Sequence, residues 1–216
     1  MNRSAVIVPA VLLAVAAGLS VFLLSSGAIS MTRQPDRDSL SAHLKLKADS
    51  ALQYCKDNGF SEKHCMLVNF NLHSGKARFF IWDFERDTIV RSSLCAHGYG
   101  GNSTTRRPEY SNVEGSFCSS PGRYRTGIPA YSRFGIHIHY KLHGLEPTNS
   151  NAFRRIVVLH SYKYVPDGEI YPLHLPMGYS AGCPVISDAA MREVDTLLKN
   201  SDKPFLLWIF DESFGG

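Results

Sequence analysis

The sequence has 216 residues, which is enough for one domain with a complete hydrophobic core and short for two. Hydrophobic residues make up 44% and charged residues 19%, a composition that excludes an intrinsically disordered chain. The net charge of +4 comes from 23 basic and 19 acidic residues that are scattered along the chain. Because nucleic-acid-binding proteins concentrate their basic residues, no nucleic-acid partner is expected.

The first thirty residues differ in kind from the rest. After Arg3, residues 5–24 form a run without a charge, and the small residues 26–28 that follow are those a signal peptidase prefers. The run is longer than most signal-peptide cores and matches a membrane-spanning helix. Residues 1–30 are therefore predicted to be either a cleaved signal peptide or an N-terminal membrane anchor. In both cases the domain lies in the periplasm or at the extracellular face of the cytoplasmic membrane.

Export would place the five cysteines where disulfides persist. They are Cys55, Cys65, Cys95, Cys118 and Cys183, and an odd number leaves one unpaired. If Cys183 is the unpaired one, the pairing that closes the shortest loops is Cys55–Cys65 with Cys95–Cys118. The alternative is that all five are buried free thiols.

The polar residues 31–38 predict a spacer, and a single domain is expected over residues 39–216. A helix opens this domain, because leucine and alanine recur at helical spacing between a cap at Asp38 or Ser39 and a stop at Gly59. Short apolar or alternating runs follow, separated by turn-forming residues. They predict antiparallel strands over residues 66–72, 78–84 and 88–94.

Residues 98–127 are rich in Gly, Ser, Asn and Pro and predict a long loop, either a binding element or a disordered excursion. The second half of the chain supplies the remaining elements. Strands are expected over residues 135–142, 155–160 and 205–210, and a helix opened by Ser187 or Asp188 precedes the last of them. We therefore predict a mainly β fold with flanking helices, of the α+β class.

Cys183, within Ser180-Ala181-Gly182-Cys183-Pro184, is the candidate nucleophile. A catalytic cysteine reacts as the thiolate, so it needs a base and donors for the oxyanion that forms on the attacked carbonyl. His160 ends a predicted buried strand 23 residues upstream, a plausible separation for a loop that returns to the strand end. The amides of Gly182 and Cys183 are candidate oxyanion donors, and Ser180 is a candidate for orienting the site. From spacing alone, the alternative is a buried structural thiol.

An ordered set of motifs resembles the murein L,D-transpeptidase catalytic-domain family, in its branch with a Ser-x-Gly-Cys-Pro motif. The resemblance covers about residues 45–210. Its motifs lie at residues 95–98, 111–116, 119–124, 142–146, 149–160 and 180–184.

The resemblance implies an L,D-transpeptidase-like β-sandwich or mixed barrel that acts on peptidoglycan stem peptides. Cys183 would attack a stem carbonyl and form a thioester as D-alanine leaves. His160 would be the base, Gly182 and Cys183 the oxyanion donors and Ser180 a supporting residue, without a metal or organic cofactor. Transfer of the acyl group to an amine gives a transpeptidase, and transfer to water gives an L,D-carboxypeptidase or endopeptidase. A catalytically inactive cell-wall-binding module is the third alternative.

The sequence departs from the larger family at two positions. Ala181 stands where that family has histidine before the glycine, and Val185 stands where it has arginine two residues after the cysteine. An arginine for the stem carboxylate would then come from elsewhere. The candidates for substrate binding are His97, Arg123, Tyr124, Arg125 and Arg154; for His97 the alternative role is to anchor the loop that it opens.

His137, His139 and His143 follow one another at period two, which suggests a metal site as a further interpretation. Zinc needs three or four ligands with an ordered second shell, whereas the polar face of a strand explains the same pattern without a metal. No metal is therefore predicted.

Overall fold

A computed structural model describes residues 35–212, with side chains from residue 39 onward. The predicted signal or anchor segment, residues 1–30, lies outside this range. Residues 40–212 belong to one compact unit. No helix within residues 35–212 is both long enough and apolar enough to cross a membrane.

The first helix, α1, spans Pro35–Asn58 and ends at Gly59, which has a φ of +74°. Glycine adopts this left-handed conformation at little cost, so the predicted end of the helix is confirmed. The helix begins earlier than the sequence predicts, and residues 35–38 of the expected spacer are helical. Its buried side chains recur at helical spacing and form one face: Leu44, Ala48, Ala51 and Cys55.

Within residues 35–212, nine strands form one sheet in the order β3-β2-β1-β9-β5-β6-β7-β8-β4. A mainly β fold with flanking helices is therefore confirmed. The second helix, α2, spans Asp188–Lys199. The strands are β1 His64–Asn69, β2 Phe79–Asp83, β3 Thr88–Ser93, β4 Cys95–Ala96, β5 Gly122–Tyr131, β6 Ile138–Gly144, β7 Val158–Ser161, β8 Val185–Ile186 and β9 Leu206–Phe210.

The edges of this sheet must meet. Strands β3 and β4 stand at its opposite ends, yet only Leu94 separates them in the sequence. One residue spans at most about 3.6 Å, so the sheet has to curl until its two edges are neighbours. Of the two architectures that the sequence left open, the structure is the mixed barrel. Its pairing is mixed as well, since β1·β9 and β7·β8 are parallel and the other pairs are antiparallel.

The prediction of a loop over residues 98–127 is wrong at its end, because β5 begins at Gly122. Gly127 and Pro129 weaken the local strand signal. Pro129 is tolerated because the β5·β9 pairing ends at Arg125, and because the β5·β6 register shifts between Thr126 and Pro129. Tertiary pairing thus makes a strand of a sequence that local propensity assigns to a loop.

Side chains alternate between the two faces of the sheet. In β1 and β9, Met66, Val68, Leu207 and Ile209 share a core cluster with α2, through its buried residues Ala190, Met191 and Val194. The intervening residues Leu67, Leu206 and Phe210 pack in a second cluster with the apolar face of α1. This period-two burial places the helices on opposite faces of the sheet. The predicted cap of α2 is confirmed, since Ser187 Oγ accepts a hydrogen bond from Ala190 N–H.

All five cysteines are free thiols in the structure. The expected disulfides Cys55–Cys65 and Cys95–Cys118 are thus not formed. Cys55 and Cys65 act instead as small apolar side chains of the α1 cluster. Burial raises the pKa of both Cys55 and Cys95 to about 12, so neither thiol is suited to nucleophilic chemistry near neutral pH.

Candidate active site

A cavity of about 740 Å³ lies beside strands β6 and β7 and the segment that leads into β8. Its position follows from strand register. His160 on β7 is paired with His139 on the antiparallel β6 and with Val185 on the parallel β8. Directly paired residues project to the same face of a sheet, so the two imidazoles are neighbours. Both of them line the cavity together with Cys183.

The Cys183 thiol is held by the backbone that leads into β7. Its Sγ accepts a hydrogen bond from Val158 N–H at 3.4 Å and donates to the carbonyl of Ile156 at 3.9 Å. Burial raises the pKa of Cys183, while the Val158 amide and the Arg155 guanidinium act in the opposite direction. Because burial is the largest effect, the resting group is the thiol and a base must remove its proton.

His160 is suited to be that base. Its side chain is 8% exposed, and Nδ1–H donates to the Ser161 carbonyl at 2.9 Å. This hydrogen bond fixes the tautomer in which Nε2 carries the free lone pair. Burial is the largest effect and lowers the pKa of His160; the hydrogen bond to the Ser161 carbonyl opposes it, and His139 acts in the same direction as burial. The net lowering favours the neutral ring, which is able to accept a proton. Within residues 39–212 no hydrogen bond joins His160 to Cys183, an arrangement common in enzymes without bound substrate.

Ser180 shapes the turn that presents the nucleophile. Its Oγ accepts a hydrogen bond from Gly182 N–H at 3.0 Å and donates to the Cys183 carbonyl at 2.6 Å. Gly182 has a φ of +112°, and a Cβ at this position would lie 2.7 Å from the Cys118 carbonyl oxygen. The turn therefore requires glycine.

This turn changes the expected oxyanion site. Gly182 N–H, one of the two predicted donors, is already bonded to Ser180 Oγ. Cys183 N–H has no hydrogen-bond partner among the described residues, and it is the donor that remains available.

Arg155 is a residue of this site that no sequence motif had singled out. Its guanidinium donates to the carbonyls of Ser111 at 2.8 Å and Cys118 at 2.5 Å, and to the hydroxyls of Ser116 and Ser120. It would lie 3.3 Å from a Cβ on Gly182, directly behind the nucleophile turn. Arg155 thus ties the long loop to the chain that enters β7 and favours the thiolate of Cys183. Two adjacent arginines look alike in the sequence, and only burial in the fold separates them.

The arginines that were predicted to bind substrate do not line this cavity. Arg154 is exposed and pairs with the exposed Glu114 at 3.1 Å. Arg123 pairs with Glu146, and its guanidinium lies 4.4 Å from the ring centre of Tyr54. Arg125 is exposed on β5. All three stand outside the cavity wall.

Tyr124 also lies away from the cavity surface. It is fully buried, and its hydroxyl donates to the Ser120 carbonyl at 2.6 Å. Burial raises its pKa, so the phenol stays protonated. The hydrogen bond supports the same loop that Arg155 holds.

His97 has the loop-anchoring position that the sequence left as its alternative role. It is 5% exposed, its Nε2 bonds the Thr104 carbonyl at 2.8 Å, and its Nδ1 lies 3.1 Å from an Arg78 nitrogen. Arginine can only donate, so Nδ1 is the acceptor and Nε2–H the donor. Burial, aided by the nearby Arg78 charge, lowers the pKa of His97 to about 4. The ring is a neutral structural link.

The three histidines at period two lie in different environments. His137 precedes β6, His139 lines the cavity and His143 stacks on Phe153 with ring centres 4.9 Å apart. Within residues 39–212 no group of three His, Cys, Asp or Glu side chains is placed to hold a metal ion.

The family model of the L,D-transpeptidase catalytic domain matches residues 37–207. No curated protein matches the chain in sequence.

Among solved structures, the chain is similar to the helical cell shape determining protein Pgp2 from Campylobacter jejuni. The identity is 14% and the TM-score 0.43, and the match covers 76% of this chain and 55% of the other. A point mutant of the same protein has 14% identity to this chain and a TM-score of 0.42, and the match covers 76% of this chain and 54% of the other. The L,D-transpeptidase from Xylanimonas cellulosilytica has 14% identity and a TM-score of 0.35, and the match covers 73% of this chain and 68% of the other. The chain thus spans about half the length of the Campylobacter chains.

Replacing Arg155 should weaken both the loop and the thiolate. In Arg155→Gln the carbonyls of Ser111 and Cys118 lose charged donors, which should lower the free energy of unfolding by about 3 kcal/mol. Without the nearby positive charge, the pH midpoint for alkylation of Cys183 should move upward. Rates of iodoacetamide modification against pH, read by peptide mass spectrometry, measure this shift. Arg154→Gln is the matched control, and identical profiles for the two variants would refute the role of Arg155.

His97 should make the fold sensitive to acid. Its folded pKa of about 4 lies below the ordinary value of about 6.5, so between these limits only the unfolded chain binds the proton. The stabilisation is complete above about pH 6.5 and is lost as the pH falls toward 4. Between pH 7 and pH 5 the free energy of unfolding of the unmodified chain should fall by about 2 kcal/mol more than that of His97→Gln. The Gln amide can replace both hydrogen bonds of the imidazole but does not titrate. Urea unfolding at several pH values checks this, and equal losses would contradict a buried neutral His97.

Proposed function

Because the chain belongs to the L,D-transpeptidase catalytic-domain family, whose members act on peptidoglycan, we propose that it is an exported cysteine acyltransferase of peptidoglycan stem peptides. The family predicted from the sequence motifs is confirmed by this match. The observation that carries the proposal is the meeting of Cys183 and a neutral His160 on the wall of one cavity. Residues 1–30 would direct or anchor the domain outside the cytoplasmic membrane.

Acylation begins with the transfer of the Cys183 proton to Nε2 of His160. The thiolate then attacks the stem carbonyl carbon, and the carbonyl π electrons move to its oxygen, which Cys183 N–H can stabilise. When the tetrahedral intermediate collapses, the carbon–nitrogen bond breaks and His160 returns its proton to the leaving amine of D-alanine. The product of this half-reaction is a Cys183 thioester.

The second half-reaction depends on the acceptor. His160 takes a proton from an incoming amine, the nitrogen attacks the thioester carbonyl, and the leaving sulfur recovers its proton from the imidazolium. An amine of a neighbouring stem gives a cross-link. Water as the acceptor gives the L,D-carboxypeptidase or endopeptidase reaction with the same residues in the same roles.

The supporting residues act by holding these groups. Ser180 fixes the nucleophile turn, and Val158 N–H and Arg155 favour the thiolate that the first step creates. Each of these contacts exists before substrate arrives, so little reorganisation is needed during the reaction.

The proposal is tested by incubating the full-length chain with tetrapeptide muropeptides and analysing both protein and products by mass spectrometry. We expect a Cys183 adduct whose mass corresponds to the stem without D-alanine. Cys183→Ala should lose at least about a thousandfold in turnover, and His160→Gln about a hundredfold or more. Cys55→Ala, which changes a cysteine of the α1 cluster, is the control and should retain activity.

The products then separate the alternatives. Cross-linked dimers indicate transpeptidation, and free tripeptides indicate hydrolysis. Turnover that survives Cys183→Ala would overturn the thioester mechanism. If the folded chain gives neither adduct nor product, a cell-wall-binding module replaces the enzyme.

A further inference from the structure

The ionisable nitrogen bases that line the cavity are not balanced by any carboxylate among its described lining residues. Among the described residues that line the cavity there is one arginine, Arg133, and there are two histidines, His139 and His160. None of these lining residues is Asp or Glu. A cleft of one charge sign, flanked by low-dielectric walls, concentrates ligands of the opposite sign. Its electrostatics therefore suit an anionic group.

Arg133 has no partner of its own within residues 39–212. It forms no ion pair with a described residue, in contrast to Arg123 and Arg154, which are both neutralised by glutamates. Its side chain is exposed at the cavity wall. The guanidinium is thus available to a ligand.

The turn that carries Arg133 is fixed to the strand of the candidate base. Ile136 N–H donates to Ser161 Oγ at 3.1 Å, and the ring of Phe134 lies 5.6 Å from that of His160. Within the turn, Ser132 N–H donates to the His137 carbonyl at 3.0 Å, and Phe134 N–H donates to Ser132 Oγ at 3.1 Å. The turn that carries Arg133 is therefore hydrogen-bonded to β7 at the residue after His160.

We propose that Arg133 binds the terminal carboxylate of the peptide in this cavity and makes the site selective for stems with a free C-terminus. The inference rests on the proposed function for the identity of the peptide. A guanidinium presents a planar pair of N–H donors that matches the two oxygens of a carboxylate, whereas an amide terminus offers neither the charge nor the second acceptor. The aromatic side chains of Phe134 and Tyr162 line the same cavity.

Binding without chemistry gives the direct test. The full-length chain carrying Cys183→Ala, purified in mild detergent, is titrated with two synthetic tetrapeptide stems that differ only in a C-terminal carboxylate or carboxamide. We expect the acid to bind about tenfold more tightly than the amide, as one charge-assisted contact allows. Adding Arg133→Gln should bring this ratio close to one. Arg133→Lys should retain part of the preference, because a lysine keeps the charge but not the planar pair of donors.

Arg154→Gln in the same background is the matched control, since it removes an exposed arginine outside the cavity wall, and it should keep the tenfold ratio. The preference should also shrink as salt is raised. An acid preference that persists in Arg133→Gln, or that is missing from the parent, overturns the subsite. Failure of the proposed function would appear differently, as an intact acid preference together with no Cys183 adduct in the unmodified chain.

Discussion

The parallel pairing of β7 with β8 is the constraint on which the site depends. It sets His160 opposite Val185 and so fixes where the chain must return, two residues after Cys183. Parallel neighbours need a long crossover, which in most folds contains a helix. Here residues 162–184 cross over without a helix or strand. The geometry of the nucleophile is therefore set by whatever holds an irregular segment in place.

Backbone contacts with an earlier turn hold much of that crossover. Ile170 N–H and Tyr171 N–H both donate to the Gly75 carbonyl, at 2.8 and 3.1 Å. A Cβ on Gly75 would overlap the Leu173 carbonyl, so this close approach requires glycine. His174 adds a 2.8 Å hydrogen bond to Ser74. The β1–β2 connection thus supports a segment about a hundred residues later in the chain, and this contact leaves no local signal in the sequence.

Local signals predicted the elements that carry strong patterns. Gly59 and Ser187 marked a helix end and a helix start because their conformations or side chains are specific to those positions. Strand β5 was missed because Pro129 and the neighbouring glycine resemble a loop until β6 and β9 pair with it. The two-residue strands β4 and β8 are too short to show any period.

The site likewise contains residues with a sequence signal and residues without one. Motif order singled out Cys183 and His160, which both line the cavity, whereas the arginines proposed from the sequence lie outside its wall. Arg155 was not singled out, since a guanidinium that binds neutral carbonyls and hydroxyls has no sequence partner to reveal it. Arg155 contacts only such neutral groups among the described residues. Its charge is consequently not cancelled by a carboxylate, and its field reaches the thiol.

The uncancelled charge of Arg155 affects how easily the Cys183 thiolate forms once substrate is bound. Burial favours the neutral forms of both Cys183 and His160, so proton transfer between them creates an ion pair in a cavity whose described lining has no acid. An unpaired substrate carboxylate entering first would oppose the thiolate through like-charge repulsion. If Arg133 neutralises that carboxylate as proposed, the repulsion is removed while the field of Arg155 remains. Arg133 would then bind the carboxylate that arrives with the substrate, and Arg155 would stabilise the thiolate that the reaction generates.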